Sequence, residues 1–362
     1  MALAYQEAAT GLTGREIDAT AGWIASVQLA NGMIPWFPGG HADPWNHVEA
    51  AMALLVGGHR AAAERALEWL VERQHADGSW CHYHLAEGVT EPRRDPNACA
   101  YVATGTWWHY LVTGDAGVLE ELWPVVDRAI TFVLGRQQPG GEILWSVDPD
   151  GTPGRFALLT ASSSIHHSLR CAVAVAARLG HERPEWELAS GRVAHAVAHR
   201  PEAFAPKTRW AMDWYYPVLC GAVSGDVGRR HLSGRWATFV MEGLGVRCVS
   251  SNPWVTAAET AECVMALDAV GMVDEAAQLL GWTRHLRAAD GSYWTGCVHP
   301  ECVRYPGGEH STYTAAAVLL ADHALYGTSD AAGLFRGDTL PAVIDLADAV
   351  DGASEGGAAG SL

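Results

Sequence analysis

The sequence predicts an all-α fold in which about six outer helices alternate with six inner ones, and three features carry that expectation. Amphipathic runs recur that each stop at a glycine and are followed by an aromatic residue. Between them lie smaller, alanine-rich runs without a polar face, the kind that other helices enclose. No alternating, β-rich segment of useful length interrupts the series.

The first outer run holds Gly22, Trp23 and Ile24 and leads to Gln28, Gly32 and Trp36. The second, Arg65-Ala66-Leu67-Glu68-Trp69-Leu70, leads to Gln74 and then Asp77-Gly78-Ser79-Trp80. The third, Arg128 to Val133, leads to Gln137, Gly140, Gly141 and Trp145. Amphipathic runs around 185–198 and 228–243 follow, and the last, Ala276-Ala277, passes through Trp282 to Asp290-Gly291-Ser292-Tyr293-Trp294. The inner runs span 48–56, 98–112, 165–179, 215–223, 256–270 and 311–325.

The connections are unequal. Inner-to-outer links are short, such as Gly57-Gly58-His59 and Thr113-Gly114-Asp115. Outer-to-inner links are long: 29–46, 76–97, 138–164, 200–214, 244–255 and 288–310. Long loops within a helical domain are uncommon and usually functional. Each joins an outer C-terminus to an inner N-terminus, so all six are expected on one end, the working face.

Composition bounds the function. The 362 residues fit one large domain or two modest ones, and 49% apolar with 18% charged residues excludes a disordered chain. A net charge of −17 argues against nucleic-acid and anionic-membrane partners, which need a positive surface. No stretch approaches the roughly 20 apolar residues of a membrane span, and the start lacks a basic n-region, so a cytoplasmic protein with free thiols is expected. Lys207 is the only lysine, an arginine bias that suggests a GC-rich bacterial genome.

The string at 65–80 looks like the QW motif of squalene and terpenoid cyclases, and 128–145 is a looser copy. To about residue 330 the chain resembles the prenyltransferase/squalene-oxidase-repeat superfamily of terpenoid cyclases and protein prenyltransferases. That resemblance implies an (α/α)6 toroid with six inner and six outer helices and its active site in the central cavity. One domain is expected at 1–336, and the glycine- and alanine-rich end of the chain predicts a flexible tail at 337–362 with a short stray helix at 342–349. The resemblance also implies an isoprenoid-type substrate, a carboxylic acid or His310 moving the proton, and tryptophan faces steadying cations. The chain has no Asp-x-Asp-Asp string; Asp148-Pro149-Asp150 is nearest and reads as a turn. Aspartate-rich Mg²⁺-binding runs and an Asp-x-Cys pair are missing too, although His310 matches the position of a prenyltransferase zinc histidine.

The residues of the working face allow other chemistry. Trp36, Trp45, Trp80, Trp145, Trp214, Trp254 and Trp294 lie in loops or at inner helix starts, and tryptophan stacks on sugar rings as readily as it steadies cations. Polar or ring-bearing candidates for substrate binding are His47, Asp95, Asn97, His166, Tyr215 and Tyr313. Candidate acids are Asp43, Glu49, Asp213, Glu259 and Glu262, with His310 as a further proton carrier. Asp43 and Asp95 also suit helix N-caps, worth roughly 1 kcal/mol each. Glu49, Glu259 and Glu262 fall inside alanine-rich helices, where an unpaired charge needs a partner or a wet cavity.

Toroids of this kind also host glycosidases. One carboxyl from Asp43 or Glu49 and one from Asp213, Glu259 or Glu262 would then serve as acid and base on a saccharide. A non-catalytic toroid that binds a ligand through its aromatic face is a third reading. Cys297, His299, Cys302 and His310 form Cys-x-His-x2-Cys-x7-His, ligand types zinc accepts at a spacing no standard zinc module uses. A zinc site, ordinary loop residues and a thiol redox pair all stay open there, and no other cofactor is expected.

Overall fold

An aspartate followed by a proline at the first helical position starts the first two inner helices, at Asp43-Pro44 and Asp95-Pro96. The computed structural model describes residues 11–344. In chain order the helices are α1 (Gly14–Val27), α2 (Pro44–Val56), α3 (Arg60–Arg73), α4 (Pro96–Thr113), α5 (Ala116–Leu134) and α6 (Leu159–Arg178). They continue as α7 (Pro184–His199), α8 (Met212–Leu219), α9 (Gly225–Phe239), α10 (Ala257–Ala269), α11 (Val273–Trp282) and α12 (Thr312–Tyr326). Asp43 accepts from the backbone N–H groups of Trp45 and Asn46, and Asp95 from that of Asn97, so both cap the helices that follow.

The even-numbered helices are the inner ones. α2 packs on α4, α4 on α6, α6 on α8, α8 on α10, α10 on α12, and α12 returns to α2. Their alanines permit that enclosure: in α4 every residue from Ala98 to His109 is buried. The fourth inner run is shorter than its predicted 215–223, because the chain leaves the helix after Leu219 and turns at Gly221 with φ +78°. α9 likewise ends at Phe239, where the chain enters a two-residue strand. Among the described residues the fold is all-α apart from seven short strands, β1 (Tyr83–Leu85), β2 (Gly88–Glu91), β3 (Val240–Met241), β4 (Gly245–Val246), β5 (Trp254–Thr256), β6 (Gly296–Val298) and β7 (Val303–Arg304), and no helix is long and apolar enough to cross a membrane.

The repeated glycine and glutamine of the outer runs have a structural cause. Gly32, Gly78 and Gly141 adopt φ of +91°, +91° and +101°, and a Cβ on them would fall 2.2, 2.1 and 2.2 Å from the carbonyl oxygens of Arg65, Arg128 and Arg192. Each glycine therefore presses backbone against the next outer helix, α3, α5 and α7 in turn. The glutamine amides complete the contact: Nε2 of Gln28, Gln74 and Gln137 donates to the carbonyls of Ala62, Val125 and Ala189 at 2.9, 2.9 and 3.0 Å. Gly291 makes the same approach to α1, where a Cβ would fall 2.6 Å from the Ala19 carbonyl carbon, and Thr20 Oγ1 donates to the Gly291 carbonyl at 2.8 Å. The last staple thus joins the end of the outer series to its beginning.

The long loops also meet in a cycle. β-Bridges pair Ala42 with His84, Arg94 with Val147, Ala157 with Phe204 and Trp210 with Val249. Strands β5 (Trp254–Thr256) and β6 (Gly296–Val298) pair the fifth and sixth loops. The Thr312 N–H donates to the Trp36 carbonyl at 2.7 Å, which returns the sixth loop to the first. At the other end Phe335 stacks on His167, Trp107 Nε1 reaches Thr339, and Arg170 donates to the Pro341 carbonyl. Residues 337–344 of the predicted tail are described; 345–362, with most of the expected stray helix, lie outside the described residues.

The staple has a measurable consequence. Gly78→Ala, which drives a methyl into the Arg128 carbonyl at a positive φ, is expected to destabilise the protein by about 3 kcal/mol. Gly39→Ala, at φ +79° with no atom near its Cβ, is expected to cost about 1 kcal/mol. Urea denaturation compares the two, and equal losses would remove the staple from the explanation.

Candidate active site

The inner helices open toward the loop belt, and the first residues of each line one cavity of about 250 Å³. Its wall repeats a register. Trp45 and Asn46 of α2, Asn97 of α4, Thr160 of α6, Met212 of α8, Ala258 and Glu259 of α10 and Tyr313 of α12 all lie in the first turn. One turn deeper stand Glu49, Tyr216 and Glu262, while Trp36, Trp254, Thr256 and Thr295 come from the loops. A void of about 10 Å³ lies below, lined by Tyr101, His167 and Phe335 among others.

Three carboxyls face this cavity. Glu262 is buried, with Tyr216 Oη donating to its Oε1 at 2.7 Å and Tyr215 Oη donating to its Oε2. Burial pushes its pKa up to about 7, against the pull of those two phenol hydrogen bonds, and Glu259 adds to the rise. Glu49 is buried as well, and burial, then Glu262, then Asp43 hold it well above the usual carboxylate range. Glu259 sits in the first turn of α10, half-buried on the cavity wall.

The aromatic walls are positioned by hydrogen bonds. Trp36 Nε1 donates to Asp43 Oδ2 at 2.5 Å, and its ring meets Tyr313 edge-on at 5.1 Å. Trp45 stacks on Tyr101 at 4.6 Å with its Nε1 toward Ser164. Trp254 Nε1 donates to the Tyr305 carbonyl at 3.3 Å. Asp43 has both oxygens engaged: Oδ1 by the Trp45 and Asn46 N–H groups, Oδ2 by Trp36 and the Asn46 amide. It holds two wall residues in place without lining the cavity itself.

Other sequence candidates lie elsewhere. Asp213 is buried behind the wall, accepting from Thr160 Oγ1 at 2.8 Å, and burial raises its pKa. Asp95 is spent on its cap. Trp80 is buried and donates to the Leu70 carbonyl, and Trp214 is stacked on Phe239. His47 is fixed between the Ile34 N–H and the Ala66 carbonyl, and His166 bonds Ser190. Tyr215 is buried behind the wall and donates to Glu262. Trp145 stacks on Phe156 beneath the Arg93 guanidinium. His310 bonds Ser292 and packs 3.7 Å from Trp294, in an outer depression with Asp290 and Glu309. The turn at Asp290–Ser292 draws it there, away from the cavity.

Thr160, Met212, Ala258, Thr256 and Thr295 were not legible as wall residues from their types. Their signal was positional: Thr160 stands in α6 where Asn97 stands in α4, second from the start. Of the candidate zinc ligands, Cys297, His299 and Cys302 lie together and His310 lies apart. Cys297 and Cys302 are joined as a disulfide, and the imidazole beside Cys302 and His299 is His285, not His310.

The chain is 50% identical over 331 residues to the MMP endo-(1,4)-3-O-methyl-alpha-D-mannosidase of Mycolicibacterium hassiacum, covering 91% of each chain. No protein-family model matches it. Among solved structures it resembles a wild-type glycosidase with TM-score 0.67 and 16% identity, covering 91% of this chain and all of that one. It also resembles the GH63 mannosylglycerate hydrolase of Thermus thermophilus, solved with Tris and D-glycerate, with TM-score 0.67, 14% identity and 84% and 99% coverage. A D-mannose isomerase matches with TM-score 0.65, 11% identity and 88% and 99% coverage. The structural likenesses show a shared fold.

The terpenoid-cyclase and prenyltransferase resemblance, with its isoprenoid substrate and carbocation chemistry, is corrected by the mannosidase relationship. The QW-like repeat is the sequence of the outer-helix staple, a need of the architecture and not of one chemistry.

The phenol pair yields a test. Tyr216→Phe removes a donor that favours ionised Glu262, so the Glu262 pKa is expected to rise above about 7, with about 1–2 kcal/mol lost in stability. Carboxyl carbon NMR titration and thermal denaturation measure both, and a fall in that pKa would contradict the assignment.

Proposed function

The chain belongs to the family of the MMP endo-(1,4)-3-O-methyl-alpha-D-mannosidase, and on that premise we propose that it is a glycoside hydrolase cleaving inside a chain of α-linked, methylated mannose units. The observation that carries the proposal is one cavity holding Glu49, Glu259 and Glu262 between tryptophan walls. We read the closed order of six inner helices inside six outer ones as an (α/α)6 toroid, with residues 11–336 as one domain.

The residues support a division of labour. Glu49 has a raised pKa and no hydrogen-bond or ion-pair partner among the described residues, which suits a protonated general acid for the leaving oxygen. Glu259, on the same cavity wall in the first turn of α10, is assigned as the base that takes a proton from the attacking water. Glu262, gripped by Tyr215 and Tyr216, ionises around pH 7, and the negative charge it gains as pH rises sustains the raised pKa of Glu49. Trp36 and Trp254 offer stacking platforms, Asn46 and Asn97 can bond ring hydroxyls, and Met212 and Ala258 give apolar surface for methyl ethers.

Hydrolysis of an α-1,4-linked 3-O-methylmannose oligosaccharide tests the roles. Glu49→Gln and Glu259→Gln are each expected to lower kcat by about a thousand-fold with the fold intact by circular dichroism. If Asp43→Asn abolishes turnover while Glu49→Gln preserves it, the donor is misassigned. The pH profile supplies a second check. Glu262 raises the Glu49 pKa, so Glu262→Gln lowers it and the donor loses its proton earlier as pH rises. The alkaline limb of kcat/KM should therefore move to lower pH; no shift, or a shift upward, would contradict the coupling.

A further inference from the structure

We propose that Cys297, Cys302, His285 and His299 form a Cys2His2 site for Zn²⁺ that assembles when the Cys297–Cys302 disulfide is reduced. Both cysteines and His299 belong to the hairpin of β6 and β7 (Val303–Arg304), and His285 lies in the 3-10 turn Thr283–Leu286 beside it. One donor atom from each of His285, His299 and Cys302 falls within 4.8 Å of the others. The sulfur bonded to Cys302 brings Cys297 to the same place as a fourth donor. Tetrahedral zinc, with bonds of about 2.0–2.3 Å, sets neighbouring donors roughly 3.3–3.8 Å apart, so closing by about an ångström completes the shell.

The imidazoles are prepared for this role. His285 Nε2 bonds the Leu244 carbonyl at 2.9 Å, which makes Nε2 the protonated nitrogen and leaves Nδ1 as the acceptor. His299 Nε2 is buried and has no hydrogen-bond partner, an orphaned nitrogen that a metal would satisfy. The Arg304 guanidinium, whose Nη2 donates to the His285 carbonyl, also faces both rings. Two thiolates balance the charge of Zn²⁺, so Arg304 would meet a neutral complex and not a net cation.

The chemistry balances with a dithiol as reductant. It delivers two electrons and two protons to the Cys297–Cys302 bond and becomes a disulfide itself. Zinc then displaces both thiol protons to water, forming two zinc–sulfur and two zinc–nitrogen bonds. β6 pairs with β5, which carries Trp254 and Thr256 of the cavity wall, so the clip braces that wall in either state.

Cobalt reports the site directly. Anaerobically reduced, dithiol-free protein titrated with Co²⁺ is expected to take up one ion per chain, with a thiolate-to-cobalt charge-transfer band that one equivalent of Zn²⁺ erases. The oxidised protein should develop no such band, a comparison that needs no variant. Cys302→Ser and His285→Ala should each lose it, and His310→Ala should keep it. A reduced wild-type chain with no band would overturn the proposal, as would a band that survives His285→Ala and disappears in His310→Ala.

Discussion

The backbone-to-backbone contact made by Gly32, Gly78, Gly141 and Gly291 sets what the rest of the molecule can do. Each glycine lets a loop approach the neighbouring outer helix more closely than any side chain would permit, and the Gly291 contact with α1 closes the series. An open row of helical hairpins would leave the N-termini of α2 and α10 far apart. Closure brings Glu49 of the first inner helix into electrostatic contact with Glu262 of the fifth. Chemistry in this protein is therefore a consequence of ring closure before it is a property of any residue.

Closure also creates an environment that carboxyls do not tolerate cheaply. Glu49 and Glu262 sit in a region where burial and mutual repulsion both oppose ionisation. Several devices offset this. The phenols of Tyr215 and Tyr216 both serve Glu262, and the inner helices point their positive ends toward the same space. Asp43 is handled differently, with four hydrogen bonds that fix its carboxyl against Trp36, Trp45 and Asn46. Neighbouring acids of similar sequence context thus acquire separate duties from their surroundings.

Much of the architecture was legible because its causes are local and repeated. The staple needs Gln28-to-Gly32, Gln74-to-Gly78 and Gln137-to-Gly141, and enclosure needs alanine in runs such as 98–112. The unequal loops marked the end of the molecule where the inner helices begin and the cavity lies. Glu49, Glu259 and Glu262 were recognisable as acids in apolar helices, with Trp36, Trp45, Asn97, Trp254 and Tyr313 as neighbours. The rest depended on distant partners. Nothing in the type of Trp80 or Trp214 distinguishes a ring that plugs the core from one that faces ligand; the Leu70 carbonyl and Phe239 decide. His310 was drawn outward by Ser292, and His285 joined Cys302 from the 3-10 turn after α11. The family resemblance failed for a related reason, since a motif that builds hairpins speaks for the scaffold alone.

The claim that sugar chemistry occurs where the inner helices begin is tested most directly by diffraction from Glu259→Gln crystals holding an α-1,4-linked 3-O-methylmannose oligosaccharide. The expected density places a mannosyl ring between Trp36 and Trp254, with a glycosidic oxygen beside Glu49. Saccharide bound instead in the outer depression of His310 and Asp290, above an empty cavity, would contradict it.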